Sequence, residues 1–166
     1  LALMWAAVHQ VQAASYTFSF TGETTSGYGL LDVDADGNVT SGMITSDGYG
    51  TLQLLAVDPS QQASQGFTDY GYLSADNVEV SFYYDNIFDA FNPYLDSNGL
   101  AFKNDDTSLN IYYYEGAYET MAFENIGHYV NGETVTFDVN PVPEPVSFLL
   151  LSLGLAGLAG IRRLRK

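Results

Sequence analysis

Ser15-Tyr16-Thr17-Phe18-Ser19-Phe20-Thr21 decides how the rest of the chain reads. Aromatic residues at 16, 18 and 20 alternate with hydroxyl residues between them. Successive side chains on a strand point to opposite faces, so this alternation predicts a half-buried β-strand. The pattern then recurs. Residues 29–34 and 38–45 flank Asp36-Gly37, which predicts a hairpin closed by a type I′ turn. Ser46-Asp47-Gly48 predicts a further turn, and residues 49–57 a third strand. Residues 58–64, DPSQQAS, read as a polar loop.

The second half has the same style. Residues 78–84 alternate, with Val78, Val80 and Phe82 on one side. Residues 85–99 read as a long loop and 100–103 as a short strand. Residues 108–115 and 117–124 form a hairpin around Gly116. Asn131-Gly132 is a turn signal, and residues 134–139 are a final strand. No part of this body sustains a helical period. About nine strands with short turns predict a mainly β domain, an antiparallel β-sandwich or jelly roll over residues 14–140. A single C-terminal transmembrane helix is expected after it.

Charge narrows the partners. The chain has 166 residues, 20 acids, five bases and no cysteine. Residues 14–140 hold all the acids but Glu144, and Lys103 as their one base, so the body carries 1 − 19 = −18. Such a surface repels nucleic acid and anionic lipid and attracts cations. Without disulfides, the core alone must hold the domain together, with weak divalent-cation binding as an expected aid. No other cofactor is expected.

The two ends are different. Leu1 to Val8 is apolar, and Val11 and Ala13 suit cleavage after Ala13. Residues 1–13 therefore read as a partial signal peptide, lacking its first Met and basic region. At the other end, Asn140-Pro141-Val142-Pro143 is a stiff linker. It leads into Pro143-Glu144-Pro145, an uncharged apolar run at 146–161, and the basic Arg162, Arg163, Arg165 and Lys166. As a helix the 16-residue run is about 24 Å long, at the short limit for a hydrocarbon core of about 30 Å. Basic stems can snorkel to extend it, and they place that end in the cytoplasm. Ser152, Ala156 and Gly160 give it a small-residue face for another helix.

Residues 141–166 resemble the PEP-CTERM sorting signal of Gram-negative bacteria, which joins a Pro-Glu-Pro, an apolar span and a terminal basic cluster in this order. The resemblance implies export across the inner membrane and transient anchoring there by the C-terminal helix. It further implies recognition by an exosortase, and a place on the cell surface or outside after processing. The family is associated with exopolysaccharide and biofilm. The resemblance is silent about residues 14–140.

Candidate sites in the body come from the residues themselves. Asp32-Val33-Asp34-Ala35-Asp36-Gly37 matches the opening of an EF-hand loop. Counting from Asp32, however, position 12 is Met43, where the loop needs a bidentate Glu. Asp32, Asp34 and Asp36 are thus candidates for weak metal binding only. The alternative is a hairpin with acids on its solvent face. His9 would leave with the signal peptide, and His128 has no sequence partner for a relay or metal cluster. Phe82-Tyr83-Tyr84 and Tyr112-Tyr113-Tyr114 lie in expected strands, so each triple must turn at least one ring away from the core. Tyr83 and Tyr113 are the candidates for a sugar-binding face. No catalytic motif is present. The reading is a non-enzymatic surface or matrix protein, bridged to acidic exopolysaccharide by divalent cations. The alternative is a secreted polysaccharide-active enzyme or carbohydrate-binding module, the enzyme requiring a cleft with two facing carboxylates.

Overall fold

The structure, a computed structural model, describes residues 13–73, 79–124 and 129–143. The residues before Ala13, His9 among them, and likewise His128 and everything from Glu144 onward, lie outside the described residues. In chain order the elements are β1 (Ala14–Thr21), β2 (Ser26–Val33), β3 (Val39–Ser46), β4 (Gly50–Leu54), α1 (Pro59–Gln65), β5 (Thr68–Leu73) and β6 (Glu79–Tyr84). There follow β7 (Leu100–Lys103), β8 (Thr107–Tyr114), β9 (Ala117–Glu124) and β10 (Tyr129–Pro141). Among the described residues no helix is long and apolar enough to cross a membrane, and the run at 146–161 is not among them.

The domain is mainly β and antiparallel, as expected, but its strands form one closed barrel rather than two facing sheets. The order is β1-β10-β9-β8-β7-β4-β3-β2, with β5-β6 as a separate hairpin. Closure follows from β1, which pairs with β2 along one edge (Phe18 opposite Gly29) and with β10 along the other (Phe18 opposite Val139). Full closure leaves no sheet edge in the ring.

An eight-stranded barrel is only wide enough inside to be filled by side chains. Phe18, Phe20, Leu31, Ile44, Leu52 and Phe102 are among those that fill it. Two glycines make room for the rings. A Cβ at Gly29 would sit 2.5 Å from the Phe18 ring, and one at Gly27 2.5 Å from the Phe20 ring. Each aromatic therefore lies over the glycine directly opposite it on β2.

Residues 85–99 close the end of the barrel where β1 begins. Phe88 enters the interior 4.7 Å from the Tyr16 ring and 5.9 Å from the Tyr94 ring. Its backbone N–H donates to Gly37 O and the Val39 N–H to Asn86 O, while the Tyr113 N–H donates to Asp96 O. The segment is thus tied to the β2–β3 turn on one side and to β8 on the other.

Several local expectations are corrected. Residues 58–64 are largely a short helix rather than a loop: Asp58 accepts from the Ser60 and Gln61 N–H groups, and Gly66 ends α1 at φ 85°. The strand expected over 49–57 ends at Leu54, and β5 had no sequence signal. Asn131-Gly132 is not a turn. Val130 pairs with Ala122 and Glu133 with Thr120, so Asn131 and Gly132 together oppose Met121 in a β-bulge. The type I′ turn also lies elsewhere. Gly37 has φ 89° but Asp36 has no positive φ, whereas Glu115 (φ 49°) and Gly116 (φ 94°) both do. The primed turn therefore joins β8 to β9, where Tyr114 opposes Ala117.

The glycine–ring fit can be tested by substitution. Gly29→Ala must push its methyl against both the Met43 carbonyl oxygen and the Phe18 ring and should destabilise the domain by about 1–3 kcal/mol in denaturant unfolding. Gly48→Ala meets nothing within 4 Å and should leave the midpoint unchanged.

Candidate functional site

Strand alternation gives β8 two different faces. Leu109, Ile111 and Tyr113 point into the barrel; Ser108, Asn110, Tyr112 and Tyr114 point out. The outer face is covered in part by a second layer. Tyr84 of β6 is buried there with Ala101 and Phe123. Its hydroxyl donates to Ala56 O at 2.8 Å.

Beyond this cover the outer face opens into a groove of about 340 Å³. Tyr83 of β6, Tyr112 and Tyr114 of β8, and Glu119 of β9 line it around Asn110. The Tyr112 hydroxyl donates to Glu119 Oε2 at 2.9 Å, across a directly opposed pair. Tyr83 is 48% and Tyr114 50% exposed. The Glu115 carboxylate beside Tyr114 raises its phenol above the usual range. Asn110 is only 3% exposed, and its Nδ2 donates to Tyr83 O at 2.9 Å and Asn98 O at 3.1 Å. Those two carbonyls set the amide's orientation and leave Oδ1 buried without a partner.

Of the two candidate rings, Tyr83 faces outward. Tyr113 does not. Its ring lies 4.9 Å from that of Tyr118, which in turn lies 5.0 Å from Phe137. The expectation had the phase of the triple reversed: Tyr112 and Tyr114 are its outward rings.

The acids of the 32–36 stretch do not converge. The Asp32 carboxylate accepts from Ser15 and Ser41, and these bonds, Ser41's first, lower its pKa. Asp34 Oδ1 accepts from the Asp36 N–H, the Asn38 N–H and the Asn38 side chain. Asn38 chiefly lowers its pKa too. Among the described residues no three His, Cys, Asp or Glu side chains come together as a metal site.

One carboxylate pair does meet. Asp85, 5% exposed, accepts from the Ile87 N–H at 3.0 Å and from Asn98 Nδ2 at 3.1 Å. Burial, and secondarily the charge and hydrogen bond of Asp96, push its carboxyl up to about 6. Asp85 lines neither the tyrosine groove nor a second cavity among the described residues. That second cavity, about 530 Å³, lies where β3 and residues 54–57 part, and no titratable side chain lines it. Asp85 has no motif around it in the sequence, because its distinction is burial, which only tertiary packing creates.

The described chain leaves the barrel directly into the C-terminal segment. β10 ends at Pro141 opposite Tyr16, and the Val142 N–H donates to Ser15 O at 2.8 Å. Pro143 is the one sorting-motif residue within the described part. Residues 141–166 match the family described as the PEP-CTERM protein-sorting motif, so the resemblance of this segment holds. Proteins with this motif are exosortase substrates, which implies export and a membrane-associated sorting step. No curated protein and no solved structure matches the chain.

Two measurements check these assignments. Asp85 has a folded pKa of about 6 against an ordinary 3.8, so the native state holds its proton more tightly than the unfolded chain. Stability from this group is full below about pH 4, falls as pH rises to about 6, and is flat above that. Asp85→Asn mimics the protonated form. It should raise the melting temperature at neutral pH relative to the parent, with the gap shrinking toward about pH 4. For the acids at 32, 34 and 36, calorimetry with calcium should show no micromolar site, and Asp36→Ala should leave the heats unchanged.

Proposed function

We propose that this is an exported surface protein, sorted by an exosortase, whose acidic barrel has a binding role in an exopolysaccharide matrix and no catalytic turnover. The sorting motif at 141–166 carries the reading, because it begins at the last residue of the barrel's closing strand. In this reading residues 1–13 are a signal peptide, residues 146–161 the transient membrane helix, and Arg162, Arg163, Arg165 and Lys166 its cytoplasmic anchor. A binding role is supported by the placement of Asp85: this acid, with its raised pKa, is buried beside Asp96 and Asn98 and does not line the tyrosine groove. Anionic polysaccharide would need divalent cations as a bridge, since 19 acids face one lysine in the body.

Sorting is tested in the exporting cell. Replacing Glu144, or Arg162 and Arg163 together, should leave an uncleaved precursor in the inner membrane, seen as a mass shift in fractionated membranes. Normal maturation of these variants would rule out exosortase sorting.

A further inference from the structure

We propose that the groove bounded by Tyr83, Tyr112, Tyr114 and Glu119 is a glycan subsite that takes one or two hexose units, uncharged or amino-substituted. It builds on the matrix-binding reading, since it names what the barrel would grip, but it is read out on purified protein and does not depend on sorting. Three observations carry it.

Rings come first. Three tyrosines from two separate strands converge on one groove, two of them about half exposed. Single exposed rings are ordinary, but a convergent set presents apolar faces with polar edges, which suits the C–H face and hydroxyl rim of a pyranose. Acceptors come second. Asn110 Oδ1 is buried and unpaired while its amide is held by two carbonyls. An unpaired buried acceptor is costly, and a small shift of the amide toward the groove it lines would let a sugar hydroxyl or N–H supply the donor it lacks. Glu119 accepts from Tyr112 and has lone pairs for further donors. The groove is therefore rich in acceptors, the complement of a sugar's hydroxyl donors. Charge comes third. Among the described residues no cation lines the groove, and the body around it carries −18. Uronates, sulfates and phosphates are repelled, whereas an ammonium on a hexosamine meets Glu119. A volume of about 340 Å³ lies at the small end of ligand sites, fitting a short stretch of chain and not a long cleft.

The test uses the full chain in a non-glycosidic detergent, titrated calorimetrically with glucose, glucosamine and galacturonate hexamers. The glucosamine hexamer should bind most tightly, the glucose hexamer more weakly, and the galacturonate hexamer not at all without divalent cations. Tyr83→Ala and Tyr114→Ala should each weaken binding about five- to tenfold. Tyr114→Ala guards against a folding artefact, because Tyr83 also packs 4.8 Å from the Phe67 ring. Glu119→Gln keeps an acceptor for Tyr112 and should erase the preference for glucosamine. Tyr28→Ala, which removes a 65% exposed ring outside the groove, should change nothing. No binding of either neutral or amino hexamer overturns the proposal, as does binding indifferent to Tyr83 and Tyr114. Calcium-dependent galacturonate binding that ignores the tyrosines is the cation bridging expected of the acidic body; found without any binding of the glucosamine or glucose hexamer, it would overturn the subsite. Failed sorting in the cell with intact hexamer binding would sink the surface reading and leave the subsite standing.

Discussion

Phe18 and Phe20 lying over Gly29 and Gly27 set the dimensions of this barrel. A ring can lie flat across a neighbouring strand only where that strand has no side chain of its own. With both rings so placed, β1 can pair with β2 and still feed the interior with its bulkiest residues. The same strand then pairs with β10 on its other edge, and the ring closes. Phe18 further meets Phe137 at 5.5 Å and Phe102 at 6.0 Å, so rings as well as aliphatic side chains fill the interior around β1.

The outside is made useful by what is laid over it. Residues 85–99 plug one end, and β6 covers part of β7, β8 and β9. These additions share anchors. Asn110 holds the backbone of Tyr83 and of Asn98, and Asn86 accepts from the Ala101 N–H and donates to Leu55 O. Buried amides thus fix the second layer on the first, which also positions Tyr83 against Tyr112 and Tyr114. The buried Asp85 sits at the root of the plug, where its ionisation opposes the fold above about pH 6.

A body with one lysine cannot satisfy its carboxylates by ion pairing. Hydroxyls and backbone amides serve instead. Ser15 and Ser41 donate to Asp32, Ser26 to Asp47 and Ser60 to Asp58. The Glu133 carboxylate accepts from the Glu23 and Thr24 N–H groups and the Thr24 hydroxyl. These bonds leave the net charge uncompensated, so the domain remains strongly acidic while its individual acids are well held.

The sequence by itself determined the strand class, most strand positions, the hairpin at Glu115-Gly116 and the sorting segment. These are local: alternation fixes a period of two, a glycine with positive φ marks a turn, and Pro-Glu-Pro followed by an apolar run and basic end is a contiguous pattern. Tertiary structure decided the rest. The phase of the 112–114 triple was legible in Leu109 and Ile111, which set Tyr113 inward with Tyr112 and Tyr114 outward; only pairing on both edges and the cover of β6 showed that the outward rings meet Tyr83 in one groove. An Asn-Gly pair is a turn or a bulge according to what opposes it, and Met121 opposes Asn131-Gly132. Sandwich and barrel can share the same strands and differ in which distant edges pair, here β1 with β10 and β4 with β7, and alternation within one strand does not name its partner.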